Sequence, residues 1–150
     1  MSYLDTLIKN CENAKVAKPI KEFELHCLTQ LDNIKQAIYI IEQVDSDSDK
    51  VFQDFSEYKA LKERKCSKLN SPSKTMYVGS SITGVRKRIE QHQGLSSAST
   101  YALHLKHWFN GELKIIIKQY DQHRDVLQII EDDLSNQLKP AFGKQGGNGK

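Results

Sequence analysis

The sequence predicts an α/β (α+β) fold, in which a small three-stranded sheet, mixed or antiparallel, is flanked by helices. Three segments rich in Ile, Val and Tyr indicate the strands, at residues 37–44, 75–80 and 112–120. Apolar residues at helical spacing before, between and after these segments indicate the helices. The chain has 150 residues, which is the size of one ordinary domain.

Six segments carry the helical spacing. Pro19 separates the first two, and Pro140 ends the last because proline cannot continue a helix. The predicted helices span residues 1–17, 20–34, 51–66, 83–93, 100–109 and 124–138. The chain is therefore expected to have an N-terminal helical extension (1–34), a central domain (35–143) with a polar, basic insertion (45–74), and a glycine-rich tail (144–150).

Composition excludes several classes of protein. The net charge is only +3, so the local distribution of charge, and not its total, must indicate any nucleic-acid partner. No apolar run approaches the length of a membrane span, and the N-terminus lacks the apolar core of a signal peptide. Three widely spaced cysteines do not form a disulfide framework. We expect a soluble, cytoplasmic protein with no membrane partner.

Five side chains form the set best suited to chemistry. Tyr39 and Tyr77 lie in two predicted strands, where both phenols can reach one face of the sheet. Arg88 and His92 are one helical turn apart, so they share one side of the following helix. Glu131 lies at the edge of the last helix's apolar stripe, where a carboxylate is costly unless it is paired or binds a metal. Such a set suits an anionic substrate.

Each of these features also has a purely structural interpretation. Tyrosine is a common strand residue, and a basic helix can simply be solvated. Glu131 can form a salt bridge with Arg88 instead of holding a metal ion. Trp108, with Tyr101 and Leu105, is interpreted as core packing of the predicted helix 100–109.

The order of the motifs resembles that of a known enzyme family. The segments Ala37-Ile38-Tyr39 and Tyr77-Val78-Gly79 resemble the two namesake motifs of the GIY-YIG nucleases. The resemblance continues in order through Arg88, His92 and the segment IIEDDLSNQLKPAF, and it covers residues 37–143. Each motif is short, so the ordered set carries the resemblance.

The resemblance implies a divalent-metal-dependent endonuclease that hydrolyses phosphodiester bonds of nucleic acid, with DNA expected. In the family the final helix carries a metal-binding glutamate and ends at a proline nine residues later, a spacing that Glu131 and Pro140 reproduce. Glu131 is thus expected to hold Mg²⁺ or Mn²⁺, and Tyr39 to activate or orient the attacking water, acting as a base only if Arg88 lowers its pKa. Arg88 is also expected to stabilise negative charge on the phosphate, while Tyr77 and His92 position the water and phosphate or His92 relays the proton.

Two positions depart from the family pattern. Ala37 stands where glycine is usual, and Gly143 stands where an asparagine often follows the proline. Asn148 or Lys144 in the tail is the expected substitute for that asparagine.

A dense group of cations in the insertion is the expected contact to backbone phosphates, and Arg86 and Lys87 add to it. Its members are Lys59, Lys62, Arg64, Lys65 and Lys68, which we call the basic segment. The alternatives for the whole chain are a non-cutting nucleic-acid-binding module on the same fold, and a partner-binding domain whose motif matches are accidental. Cleavage of both strands of a duplex would favour a homodimer, with the N-terminal extension as its interface.

Overall fold

The structure is a computed structural model that describes residues 2–144. In that range a four-stranded sheet is combined with four α-helices, so the predicted mixture of helices and sheet is confirmed. Short 3-10 turns lie at Leu28–Leu31 and Leu105–His107. The elements in chain order are α1 (Tyr3–Val16), β1 (Lys21–Glu24), β2 (Ala37–Val44), α2 (Ser48–Ala60), β3 (Thr75–Ser81), α3 (Val85–Gln93), β4 (Glu112–Gln119) and α4 (Arg124–Leu138).

The sheet has one strand more than the three predicted, and its strand order is β1-β4-β2-β3. Every neighbouring pair is antiparallel, so a mixed sheet is wrong. The extra strand β1 lies inside the predicted helix 20–34, which is therefore wrong. This segment is extended because it hydrogen-bonds to the edge of β4 that does not pair with β2. The Ile20 amide donates to the Gln119 carbonyl at 2.7 Å, and the Leu25 amide donates to the Ile115 carbonyl at 2.8 Å.

The predicted helix 100–109 is also wrong apart from the 3-10 turn at Leu105–His107. Ala102 forms an isolated parallel bridge with Cys66, and His104 adopts a left-handed backbone (φ 51°), so the segment cannot wind as a helix. Helix α2 starts three residues before the predicted helix 51–66 because the Asp47 side chain caps it at the Asp49 amide. The bounds predicted for β2 and α4 agree with the structure.

Two hydrophobic layers cover the two faces of the sheet, because successive strand residues point to opposite sides. One layer joins β2, β3 and β4 to α2 and α3, with buried residues that include Ala37, Tyr39, Ile41, Phe55, Ile89 and Ile117. The other joins the sheet to α4, with buried residues that include Ile38, Ile40, Val78, Val126, Leu127 and Ile130. Helix α1 packs beside α4 through Ala14 and through Ala17, the residue that caps its C-terminus. No helix within residues 2–144 is long and apolar enough to cross a bilayer.

Candidate active site

The two predicted tyrosines lie side by side, Tyr39 on β2 and Tyr77 on β3, which is one of the two edge strands of the sheet. Tyr39 lies opposite Gly79, and Tyr77 lies opposite Ile41, so both rings point to the same face. The rings are parallel to within 5°, with centroids 6.1 Å apart. A Cβ at Gly79 would lie 2.4 Å from the Tyr39 hydroxyl, so only glycine leaves room for that hydroxyl.

Arg88 places a positive charge beside these phenols. Its Nη2 donates to the Tyr77 hydroxyl at 3.2 Å, and its Nη1 donates to Gln91 Oε1 at 2.7 Å and to the Tyr101 carbonyl at 3.2 Å. All three acceptors are neutral, and no carboxylate of residues 2–144 forms a salt bridge with Arg88. The cation is therefore held in place with its charge unneutralised, as an anion-binding group requires.

His92 lies beneath the tyrosines and is fully buried. The Leu103 amide donates to Nδ1 at 3.2 Å, so the proton of the neutral ring is on Nε2 and is donated to the Tyr39 hydroxyl oxygen, also at 3.2 Å. Burial, and then the charges of Arg88 and His104, lower the pKa of His92 well below its ordinary value. The ring is therefore neutral and holds Tyr39 by its oxygen, which leaves the phenolic proton free for another acceptor.

Tyr39 itself is fully enclosed, and this decides its protonation. Burial raises the pKa of its phenol far above the ordinary value of 10, Tyr77 and Glu131 act in the same direction, and Arg88 opposes them. The effect of burial is larger than that of Arg88. Tyr39 is consequently a neutral hydrogen-bond donor at physiological pH and not a phenolate base in the protein described here.

Glu131 reaches the same place from α4, on the opposite side of the sheet. Its side chain is buried, and Gln128 Nε2 donates to its Oε2 at 2.9 Å and to Asp132 Oδ1 at 2.9 Å. The salt bridge to Arg88 that the sequence left open does not form. The carboxylate instead lines a pocket of about 180 Å³, called here the edge pocket, whose wall also contains Tyr39, Tyr77, Arg88, Gln128 and Lys144.

The chain after α4 turns back against Tyr77 to complete the edge pocket. Asn70 Nδ2 holds this turn by donating to the carbonyls of Pro140 (3.1 Å) and Gly143 (2.9 Å). Gly143 has a left-handed backbone (φ 88°), and a Cβ there would lie 2.5 Å from Tyr77 Cε2. The close approach of Tyr77 thus leaves no room for an asparagine side chain at position 143. Lys144 occupies the wall of the pocket, whereas Asn148 lies outside the described residues.

The donor set of the edge pocket fits a hard cation that is bound through few protein ligands. Among residues 2–144, Glu131 is the one acidic side chain that lines this pocket. Residues 2–144 contain no group of three or more His, Cys, Asp or Glu side chains placed to hold a metal ion. Mg²⁺ is commonly bound through one or two carboxylates while it keeps several waters and takes substrate phosphates as further ligands. Glu131 satisfies that requirement.

Comparisons with protein-family models, with curated proteins and with solved structures found no match to this chain. The candidate active site is therefore defined by its own geometry and by the order of its motifs.

All five members of the basic segment lie in the walls of two cavities near the edge pocket. A cavity of about 550 Å³ touches Lys59 and Lys68 together with Tyr77 and Arg88, and one of about 680 Å³ is lined by Lys59, Lys62, Arg64 and Lys65. The other two predicted phosphate contacts are placed differently. Arg86 forms salt bridges with Asp32 and Glu90, and Lys87 is exposed but lines none of these three cavities.

Sequence reasoning missed four residues that shape this region. Gln128 is detectable in principle, because it is three residues before Glu131 on one helix. Gly79 and Asn70 act through close approach and turn geometry, which a single sequence does not reveal. Tyr101, predicted to be part of the core, is 63% exposed, so that prediction is wrong.

Proposed function

We propose that this chain is a divalent-metal-dependent endonuclease that hydrolyses phosphodiester bonds of nucleic acid, with DNA as the expected substrate and Mg²⁺ or Mn²⁺ as the ion. One observation carries the proposal. A cation (Arg88) and a carboxylate (Glu131), neither of which forms a salt bridge within residues 2–144, line a single small pocket together with two phenols. The resemblance to GIY-YIG nucleases supports it independently, because it selected the same side chains from their order in the sequence alone.

Arg88 neutralises the scissile phosphate in this proposal. Its guanidinium is fixed by three neutral acceptors, so it does not have to reorganise when negative charge develops. Tyr77 accepts one of those hydrogen bonds and can donate its own hydroxyl proton to a phosphate oxygen. Lys144 adds a second positive charge at the rim of the edge pocket.

Tyr39 orients the attacking water. Its oxygen is already occupied by the Nε2 proton of His92, so the phenolic proton is directed to a ligand in the pocket. His92 is enclosed and accepts the Leu103 amide at its other nitrogen, so it has no open route to pass a proton to solvent. His92 is therefore a positioning residue that acts through Tyr39 and not a proton relay.

Glu131 would hold the metal ion, and Gln128 would keep the carboxylate oriented toward the pocket. When bound, such an ion would make a coordinated water more acidic, so that the water can lose its proton to solvent, and would offset negative charge on the phosphate. The carboxylate alone is a weak site, which suits an ion that arrives together with substrate phosphates.

The experiment is digestion of a panel of single-stranded, double-stranded and branched DNA and RNA in Mg²⁺ and in EDTA. Glu131→Ala should abolish cleavage, because among residues 2–144 Glu131 is the only acidic side chain that lines the edge pocket. Binding should be preserved, because lysine and arginine side chains hold the backbone phosphates. Asp133→Ala, an exposed carboxylate on the same helix, is the matched control and should cut like the wild type. Cleavage by Glu131→Ala at the wild-type rate would remove this residue from the mechanism and make Asp132 the next candidate.

A second candidate is a nucleic-acid-binding module that no longer cuts. The lone carboxylate of the edge pocket and glycine at position 143 favour it. Binding in EDTA combined with intact substrates throughout the panel in Mg²⁺ and Mn²⁺ would decide in favour of this module.

A further inference from the structure

The edge pocket is the first of three neighbouring cavities. It shares Tyr77, Arg88 and Lys144 with the neighbouring cavity of about 550 Å³. That cavity in turn shares Lys59, Cys66 and Tyr101 with the cavity of about 680 Å³. Because each shares wall residues with the next, the three cavities are neighbours on the surface, and together we call them the basic groove. Each of the two larger cavities is large enough for a nucleotide-sized group.

Tyr101 stands where these two larger cavities meet, and its ring is exposed on a fixed backbone. Its side chain is 63% exposed, although the next two residues, Ala102 and Leu103, are fully buried. Its carbonyl accepts a hydrogen bond from Arg88, and Ala102 is bridged to Cys66. A tyrosine on a fixed backbone has only two side-chain torsions to order, so it loses little conformational entropy when it binds a flat partner.

The surroundings of this ring are cationic. The Lys65 ammonium lies 5.4 Å from the ring centroid, and Glu63 is the one acid among the residues that line the larger cavity. Lys62 and Lys65 are exposed and form no salt bridge within the described residues, so their charges are available to backbone phosphates. A stacking ring combined with a positively charged groove is the arrangement used by proteins that bind single-stranded nucleic acid.

We propose that the basic groove binds an unpaired strand of nucleic acid and that Tyr101 stacks on one of its bases, next to the phosphate held by Arg88. This inference rests on the proposed function and specifies its substrate class as single-stranded or locally unpaired nucleic acid. The bases inside an intact duplex are stacked on both faces and offer none to Tyr101. The hydrogen bond between Arg88 and the Tyr101 carbonyl places the stacked base close to the phosphate to be cut.

The test measures binding in EDTA, so that it does not depend on cleavage. Oligonucleotides of DNA and RNA, each with 2-aminopurine at one position, are titrated single-stranded and as blunt duplexes, and anisotropy and 2-aminopurine fluorescence are read. Tyr101→Leu, which keeps apolar bulk but removes the ring, should weaken single-strand binding about 5- to 150-fold and abolish the fluorescence quenching. Tyr101→Phe should bind like the wild type. In both variants the salt dependence of binding should be unchanged, because the tyrosine ring carries no charge.

Tyr3→Leu is the matched control, since Tyr3 is also an exposed tyrosine and lies on α1, outside the groove. The proposal is overturned if Tyr101→Leu binds single strands as tightly as the wild type, or if duplex binding falls by the same factor. Failure of the nuclease proposal has a different outcome, in which no substrate is cut in Mg²⁺ while the Tyr101-dependent quenching in EDTA persists. Quenching with DNA, RNA or both supports the stacking role and identifies the sugar preference.

Discussion

Gly143→Ala is the sharpest test of how the edge pocket is built, because the substitution adds a single atom. The new Cβ would lie 2.5 Å from Cε2 and 2.9 Å from Cδ2 of Tyr77, at a residue whose φ is 88°. The ring cannot easily retreat, since Arg88 holds its hydroxyl and His92 packs against it at 4.1 Å between centroids. Any larger side chain at position 143, asparagine included, carries the same Cβ.

The expected cost has two parts. A non-glycine residue in the left-handed region costs about 1–2 kcal/mol, and overpacking of a tight contact costs about 1–3 kcal/mol. We therefore expect Gly143→Ala to lower the free energy of unfolding by about 2–5 kcal/mol, which corresponds to a melting temperature lower by roughly 10 °C for a domain of this size. Displacement of Tyr77 from Arg88 should also reduce cleavage.

Urea denaturation with a common m-value, together with thermal melting, measures this cost. Gly84→Ala is the control, because a Cβ at Gly84 meets no atom within 4 Å and the backbone there is extended, with φ 166°. Its expected cost is less than about 1 kcal/mol. If the two alanine variants are equally stable, the argument that position 143 requires glycine is refuted.

Three further predictions follow from the same contacts. Tyr39→Phe should slow cleavage at least about 100-fold without weakening binding, because it deletes the hydroxyl that orients the water. Tyr58→Phe, which removes the hydroxyl of a buried tyrosine outside the edge pocket, should be neutral. Stability should fall by about 1.4 kcal/mol from about pH 7.5 to about pH 5.5, because the unfolded chain protonates His92 below its ordinary pKa of about 6.5 and the folded protein does not. This loss should be absent in His92→Gln and retained in His26→Gln. The triple variant Lys62→Ala, Arg64→Ala and Lys65→Ala removes three cations of the basic segment. It should reduce the slope of the logarithm of the nucleic-acid binding constant against the logarithm of salt concentration by about 2 to 3.

Control variants distinguish these specific effects from a general loss of stability or charge. Three exposed lysines near α1 provide a charge-matched variant that should keep the full salt slope, namely Lys9→Ala, Lys15→Ala and Lys18→Ala. An unchanged slope in the basic-segment variant would return that segment to a solvated surface. A wild-type pH profile in His92→Gln would show that His92 is not the group that titrates, and full activity in Tyr39→Phe would remove the hydroxyl from the reaction.

The sequence alone predicted best the elements and side chains that depend on a local pattern of residues. The Ile-rich run of β2 and the apolar stripe of α4 were located at their observed bounds, and the order of motifs selected the side chains that line the edge pocket. Segments that depend on distant partners were predicted wrongly. The residues of β1 have apolar spacing compatible with a helix, and only the free edge of β4 makes them a strand.

The same reason explains the errors in the candidate active site. Tyr101 is apolar in character and close to Trp108 in sequence, but the bridge between Ala102 and Cys66 turns its ring outward. The suitability of glycine at position 143 depends on the approach of Tyr77 from a strand more than sixty residues away in the sequence. The protonation of Tyr39 depends on complete burial, which outweighs the charge of Arg88.

The edge pocket takes its tyrosines from one hydrophobic layer and Glu131 from α4 in the other, so the pocket is complete only while α4 is docked on the sheet. A local opening of α4 would carry Glu131 away from Tyr39. If this opening costs less free energy than global unfolding, it sets the fraction of molecules with an assembled pocket. Amide hydrogen exchange along α4 would report that fraction directly, and mutations in its contacts with Ile38 or Val78 would tune activity far from any reacting atom.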